Sequence, residues 1–193
     1  MRIIGGQWRS RQLLRPRTDS TRPMPDRVKQ AIFDMLASRY DTPGALPPLF
    51  VADVFAGGGS MGLEALSRGA AFCSFFERDR LALEALRGNI ESLGAGPNSG
   101  VVAGDAWRAS MVTPDGRPFA LIFLDPPYRD CEDTTDRGEI RQFLRTLGDS
   151  TAVERLVVLH HPAITRFELI QDDSWQVAVE RRIGSNAVTF FAS

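Results

Sequence analysis

Between Val51 and Gly62 an apolar run rich in Val and Phe turns through three consecutive glycines, Gly57-Gly58-Gly59, and enters a helical pattern. The pattern predicts a strand over 49–55 and a helix over 60–68, with Ser60 capping the first turn, Leu63 and Leu66 sharing one face, and Gly69 closing the end. Gly57, Gly59 and Gly62 fit G-x-G-x-x-G. Glu77 ends the next apolar run twenty positions after Gly57, the spacing of a carboxylate that bonds a nucleotide ribose. A strand, glycine turn and helix of this kind signals an adenosine-type cofactor without saying which one.

Downstream, apolar runs and helical patterns alternate. The expected elements are a strand over 71–76, a helix over 79–93 with Asp79 as cap and Gly94 at its close, and a short strand at 101–103. A helical turn over 106–111, a strand over 119–124, a helix over 136–147 and a strand over 153–159 follow. Such alternation predicts a parallel sheet covered on both faces. The tail differs: Trp175, Val177 and Val179 alternate with polar residues, and Ala187-Val188-Thr189-Phe190-Phe191 follows Gly184-Ser185-Asn186. Two strands around that turn predict an antiparallel hairpin at the sheet edge.

The 193-residue length suits one domain with a short appendage. Charge locates the appendage. The net charge of −1 conceals eight basic residues against Asp19 and Asp26 in the first 30 positions, Lys29 among them, on an otherwise acidic chain. Seven of the eight are arginines, whose planar fork suits phosphate and base edges. Residues 1–14 read as two short extended pieces joined near Gly5-Gly6, with Trp8 set to stack a base or to pin the hairpin to the body. Val28, Ala31, Ile32, Met35 and Leu36 recur at helical spacing, leaving Arg27, Lys29 and Gln30 off the apolar stripe. Three prolines and a glycine between Asp41 and Pro48 mark the boundary, so 1–48 is read as a basic extension and 49–193 as the main domain. No apolar run approaches the roughly 20 residues of a spanning helix. Cys73 and Cys131 stand alone, without metal-ligand clustering or a disulfide framework, as in a reduced cytoplasmic protein.

The second motif selects the chemistry. Phe119 to Leu124 is a buried-strand run ending in Asp125-Pro126-Pro127-Tyr128. In open α/β sheets this end of the strand lies beside the glycine turn. The prolines fix the backbone, Asp125 and a nearby carbonyl supply two acceptors, and Tyr128 supplies a stacking plate. That set suits an exocyclic amine of a nucleobase, whose hydrogens are held while nitrogen attacks an electrophilic methyl group.

The segments Asp53 to Ala70 and Asp125 to Tyr128 resemble the S-adenosylmethionine-dependent amino methyltransferases. The opening Arg2-Ile3-Ile4-Gly5-Gly6-Gln7-Trp8-Arg9-Ser10-Arg11, with Thr21-Arg22-Pro23 and Asp26-Arg27-Val28, resembles the bacterial 16S ribosomal RNA guanine-N2 methyltransferase family, over almost the whole chain. The resemblance implies an α/β class I methyltransferase fold: a Rossmann-like, mainly parallel seven-stranded sheet with an antiparallel C-terminal hairpin, plus a small N-terminal hairpin and helix. It also implies S-adenosylmethionine as methyl donor, and a guanine of small-subunit ribosomal RNA, met by a monomer in the RNA or an assembling ribosomal particle, as acceptor. Carried over by position, Asp53, Phe55, Gly57 and Gly59 surround the donor, Glu77 takes the ribose hydroxyls, and Asp105 bonds the adenine amine with Ala106 behind it. Asp125, Pro126 and Tyr128 hold guanine N2, while Arg2, Trp8, Arg9, Arg11, Arg22 and Arg27 meet the RNA. Gly58, Ser60 and Met61 depart from the family's usual glycine motif. Removal of residues 1–17 is then expected to abolish RNA methylation and spare donor binding.

Alternatives share parts of this pattern. The same tetrad serves amino groups of DNA bases or a protein glutamine, the glycine turn alone a nicotinamide oxidoreductase, and the basic end alone a noncatalytic RNA-binding factor. His160-His161 follows a strand without a metal-spaced partner, and no metal site is expected. The acidic loop 129–138 reads as solvated or as a lid.

Overall fold

The computed structural model describes residues 1–17, 24–148, 154–167 and 175–193; Arg22 and part of the expected 153–159 strand lie outside them. Seven strands form one sheet in the order β3-β2-β1-β4-β5-β7-β6. They are β1 (Phe50–Val54), β2 (Phe72–Glu77), β3 (Ser99–Ala103), β4 (Leu121–Leu124), β5 (Leu156–Pro162), β6 (Gln176–Ile183) and β7 (Asn186–Ala192). The first five are parallel; β7 runs antiparallel between β5 and β6, so the C-terminal hairpin closes one edge. The helices are α1 (Asp26–Arg39), α2 (Ser60–Ser67), α3 (Arg80–Leu93) and α4 (Glu139–Gly148).

Local chemistry sets most boundaries. Asp79 caps α3 by accepting from the Ala82 amide at 2.8 Å, and Gly94 ends it in the left-handed region at φ 65°. α2 departs from expectation, because Ser60 makes no cap. Gly59, at φ 81°, turns the chain into the helix, and buried Asp53 reaches from β1 to accept from the Gly62 amide at 2.8 Å. Of the helix expected over 106–111 only a 3-10 turn, Ala106–Arg108, forms. The chain then folds back through the bridge between Val112 and Pro118.

The two faces of the sheet bury separate cores. Phe119, Ile140, Phe143, Leu144, Trp175 and Phe191 cover one. The other joins α1, α2 and α3 to the amino-terminal segment, with Ile3, Leu13, Ile32, Phe33 and Leu36 packed with Val51, Leu63 and Phe123. Burying Ile3 and Leu13 contributes roughly 1.5–3 kcal/mol each. Within the segment the two arms pair around the bridge between Arg2 and Gln12, with the Ile3 amide donating to the Arg11 carbonyl and the Leu13 amide to the Met1 carbonyl, both at 3.0 Å. Because it fills a core, its removal is expected to cost stability and with it donor binding, contrary to the truncation outcome its sequence suggests.

Lys29 also departs from its place off the stripe: it is 1% exposed. Its ammonium donates to the Arg2 carbonyl at 2.6 Å and to Ser60 Oγ at 3.1 Å, and lies 3.3 Å from Glu64 Oε2. Glu64 of α2, itself fully buried, accepts from the Ile4 amide and from Arg68 Nε, both at 2.8 Å. Burial pulls the Lys29 ammonium below its usual range, against the attraction of Glu64. A carboxylate on the facing helix therefore draws inward a cation that helical spacing alone assigns to solvent. Among the described residues no helix is long and apolar enough to cross a membrane.

Candidate active site

Parallel register brings the carboxyl ends of five strands to one edge. The Asp125 amide donates to the Val54 carbonyl at 3.2 Å, and the Ala56 amide to the Phe76 carbonyl at 3.0 Å. The glycine turn thereby sits between Glu77 and Asp125. The Gly104 amide donates to the Glu77 carbonyl at 2.9 Å, adding Asp105 beyond β3. Asp53, Phe55, Gly57, Gly59, Glu77, Asp105, Ala106, Asp125, Pro126 and Tyr128 thus gather at the topological switch of the sheet.

The turn is held from below and from the side. Glu77 accepts from the Gly57 amide with Oε2, and from the Arg78 and Asp79 amides with Oε1, all at 2.8 Å. Phe55 stands at φ 63°, a strained conformation for a bulky side chain, with its ring edge-on to Trp107 at 4.8 Å. Gly58 is explained by close approach: a Cβ there would lie 3.1 Å from the Leu14 carbonyl and 3.2 Å from Pro16. Asn89 of α3 clamps the same strap, accepting from the Leu14 amide at 2.7 Å and donating to the Gly58 carbonyl at 2.8 Å. The departure from the usual glycine motif therefore accommodates the amino-terminal segment.

Asp53 beneath the turn is 2% exposed, and burial pushes its carboxyl up to about 7, opposed by the Gly62 amide and reinforced by Asp125 and Glu77. Since this raised value lies above that of the unfolded chain, the folded state holds the proton more tightly. The group's stabilising contribution is complete below about pH 4 and is lost as pH rises toward 7, at roughly 1.4 kcal/mol per pH unit. Asp53→Asn, which keeps an acceptor for Gly62, is expected to flatten that part of the stability profile in urea titrations between about pH 4 and 7, a window set by the two ends of that shift. Parallel profiles for the two proteins would contradict this.

Beyond β4 the chain turns through buried Pro126, and Tyr128 is 47% exposed. Two residues here escape motif reading. His160, in β5, places Nδ1 2.8 Å from Asp125 Oδ1 and Nε2 3.0 Å from Asn186 Oδ1. Asn186 Oδ1 also accepts from the Tyr128 hydroxyl at 2.9 Å. The available signal was the position of His160 at the end of the strand beside Asp125; Asn186 looked only like a turn residue. The acidic loop opens with a 3-10 turn, Tyr128–Cys131, in which Asp130 accepts from Trp107 Nε1 at 3.3 Å and Cys131 is buried. Burial pushes the Cys131 thiol up to about 12 and that of Cys73 well above its usual range, so neither ionises at neutral pH.

The predicted RNA-facing residues divide. Arg2, Arg9 and Arg27 line a cavity of about 380 Å³ with Ser10, Asp26 and Gln30. Arg11 instead donates to the Ser92 carbonyl at the end of α3, at 2.8 Å. Trp8 is half-buried against the core, with its amide on Ser67 Oγ at 3.0 Å, which is the pinning alternative. Among the described residues no group of three or more His, Cys, Asp or Glu is placed to hold a metal.

The 3-2-1-4-5-7-6 sheet, with a glycine turn after β1 and carboxylates along its carboxyl edge, is the architecture of a class I methyltransferase, and the protein is an enzyme of that class. The model of the family described as "Conserved hypothetical protein 95" matches residues 1–192, and the chain belongs to that family. It is 39% identical to "Ribosomal RNA small subunit methyltransferase D" of Escherichia coli K12 over 150 residues, 78% of this chain and 68% of that one. The protein of the same name from Haemophilus influenzae is 35% identical over 66% of this chain and 64% of its own. Among solved structures, yhhF of Escherichia coli superposes with a TM-score of 0.77 at 33% identity, covering 100% of this chain and 97% of the other. A hypothetical protein of Thermus thermophilus, TTHA0928, gives 0.72 at 31%, with 98% of each covered.

Proposed function

We propose that the protein transfers the methyl group of S-adenosylmethionine to the exocyclic N2 amine of a guanine in small-subunit ribosomal RNA. The observation that carries this reading is Asp125-Pro126-Pro127-Tyr128 at the end of β4, hydrogen-bonded to the end of β1 beside the glycine turn. The names of the relatives supply the RNA.

The edge suits the donor. Glu77 Oε2 carries one backbone donor and keeps capacity for a ribose hydroxyl. Asp105 Oδ1 is spent on the Trp107 amide, and its second oxygen, 3.8 Å from Arg108 Nε, keeps capacity for an adenine amine, with buried Ala106 behind. S-adenosylmethionine, when bound, supplies an electrophilic methyl group on a sulfonium. The chain's part is positioning, for which roughly 7–11 kcal/mol is available in principle. One Asp125 oxygen is engaged by His160, and the other accepts from the amine. The Pro126 carbonyl takes the second amine hydrogen, and the Tyr128 ring stacks on the base. A guanine in a loop or bulge is favoured, since leaving a duplex stack costs a few kcal/mol.

One arginine of the cavity, Arg27, reaches the turn between β6 and β7. A Cβ at Gly184, in the turn leading to Asn186, would lie 2.8 Å from Arg27 Nη2. Arg9 and Arg27, with Arg2, whose Nε donates to Asp26 Oδ2 at 2.8 Å, supply guanidinium groups for RNA phosphates. The double variant Arg9→Glu, Arg27→Glu is expected to weaken RNA binding and to reduce the slope of log affinity on log salt by about 0.7 for each phosphate no longer neutralised. Donor affinity stays unchanged; a slope equal to the wild type's would exclude these arginines as phosphate ligands. Offering labelled S-adenosylmethionine with small-subunit ribosomal RNA, DNA or protein tests the function as a whole. Label in the RNA alone is expected, and label in DNA or protein instead would overturn the assignment.

A further inference from the structure

We infer that His160 is the positioning residue of the acceptor site, a doubly donating imidazolium that holds Asp125 on one side and, through Asn186, Tyr128 on the other. The inference rests on the methyl-transfer reading and adds a residue that the tetrad does not contain. It begins from the acceptors. Asp125 presents a carboxylate oxygen 2.8 Å from Nδ1, and Asn186 presents its amide oxygen 3.0 Å from Nε2. With Asn186 Oδ1 as the shared acceptor for the Tyr128 hydroxyl and the ring, both ring nitrogens donate, which only the cation can do.

The surroundings agree. His160 is 4% exposed, and Asp125 from the end of β4, Tyr128 from the following turn and Asn186 from β7 face it. His161 turns to the other face, where Nε2 meets Thr189 Oγ1 at 2.8 Å. Burial by itself lowers the ring's affinity for a proton, and the bonds to Asp125 and Asn186 more than offset it, so the net displacement is upward.

A cation donating from both nitrogens has no lone pair for a proton, so His160 is not the base of the reaction. It orients one Asp125 oxygen and leaves the other directed at the amine. Through Asn186 it also sets the Tyr128 ring, whose centroid lies 6.0 Å from its own. As pH rises and the ring loses its proton, one of the two bonds is lost, and either Asp125 or the Asn186–Tyr128 arm is released.

His160→Gln in the full-length protein tests this, with methyl transfer to small-subunit ribosomal RNA followed from about pH 5.5 to 9, a range that spans the titration of a histidine. The wild type is expected to lose kcat on the alkaline side as His160 deprotonates. The variant is expected to have kcat about tenfold to a hundredfold lower at about pH 6.5, without that alkaline limb, and with donor affinity unchanged by calorimetry. Wild-type kcat with the same limb in the variant would overturn the inference while leaving methyl transfer intact. No transfer by the wild type to any acceptor would overturn the reading beneath it instead. Nitrogen NMR of the wild-type ring keeps the test decisive if the variant fails to fold. Two protonated nitrogens at about pH 6.5 are expected, and a neutral ring there overturns the inference.

Discussion

Glu64→Ala is expected to destabilise the protein by roughly 3–5 kcal/mol, the cost of removing one partner from a buried ionic cluster. The loss leaves the Lys29 ammonium and the Arg68 guanidinium, 1% and 5% exposed at their side chains, without their shared carboxylate. The Ile4 amide loses its acceptor as well. At the roughly 2–4 °C per kcal/mol of a domain this size, Tm falls by roughly 6–20 °C. Glu64→Gln, which keeps an acceptor for Ile4, is expected to lose less. The cluster ties the amino-terminal segment and α1 to the first turn of α2, so the glycine turn loosens with it. A change within about 1 kcal/mol for Glu64→Ala, measured by urea unfolding, would show that the cluster is not what joins them.

Asp125→Ala is expected to slow methyl transfer at least tenfold to a hundredfold, because one charge-assisted hydrogen bond to the amine, about 1.5–3 kcal/mol, is lost. Donor affinity is expected to hold, since Glu77 ends β2, Asp105 follows β3 and the glycine turn follows β1, all apart from β4. The change also leaves the buried His160 cation without its carboxylate, so Asp125→Asn, which keeps the shape, serves as the kinetic comparison. Wild-type turnover in Asp125→Asn would remove Asp125 from the acceptor site.

The parallel half of the sheet and its glycine turn were legible because apolar runs, caps and glycines are local signals. Asp79 and Gly94 bound α3 as their residue types predict. Periodicity failed where a partner distant in sequence decides. Lys29 looks solvent-facing on its own helix and is buried by a carboxylate 35 positions away, Glu64. Asp53, not the adjacent Ser60, caps α2, because β1 ends beneath that helix and its carboxylate points upward. Gly58 looks like a deviant motif residue until the Leu14 carbonyl is placed against it. The acceptor side divides in the same way. Asp125 and Tyr128 are readable as a motif, whereas His160 and Asn186 join them only through the pairing of β4, β5 and β7. A histidine screened for metal-ligand spacing is overlooked when its partner is a carboxylate on the neighbouring strand.

The most direct measurement is to map the modified nucleotide. Small-subunit ribosomal RNA from cells lacking the protein, incubated with it and labelled S-adenosylmethionine, digested and resolved by mass spectrometry, is predicted to carry the new methyl group on N2 of a guanine. A methyl group on a ring nitrogen, on the ribose or on another base would contradict the assignment of Asp125-Pro126-Pro127-Tyr128 as the holder of an exocyclic guanine amine.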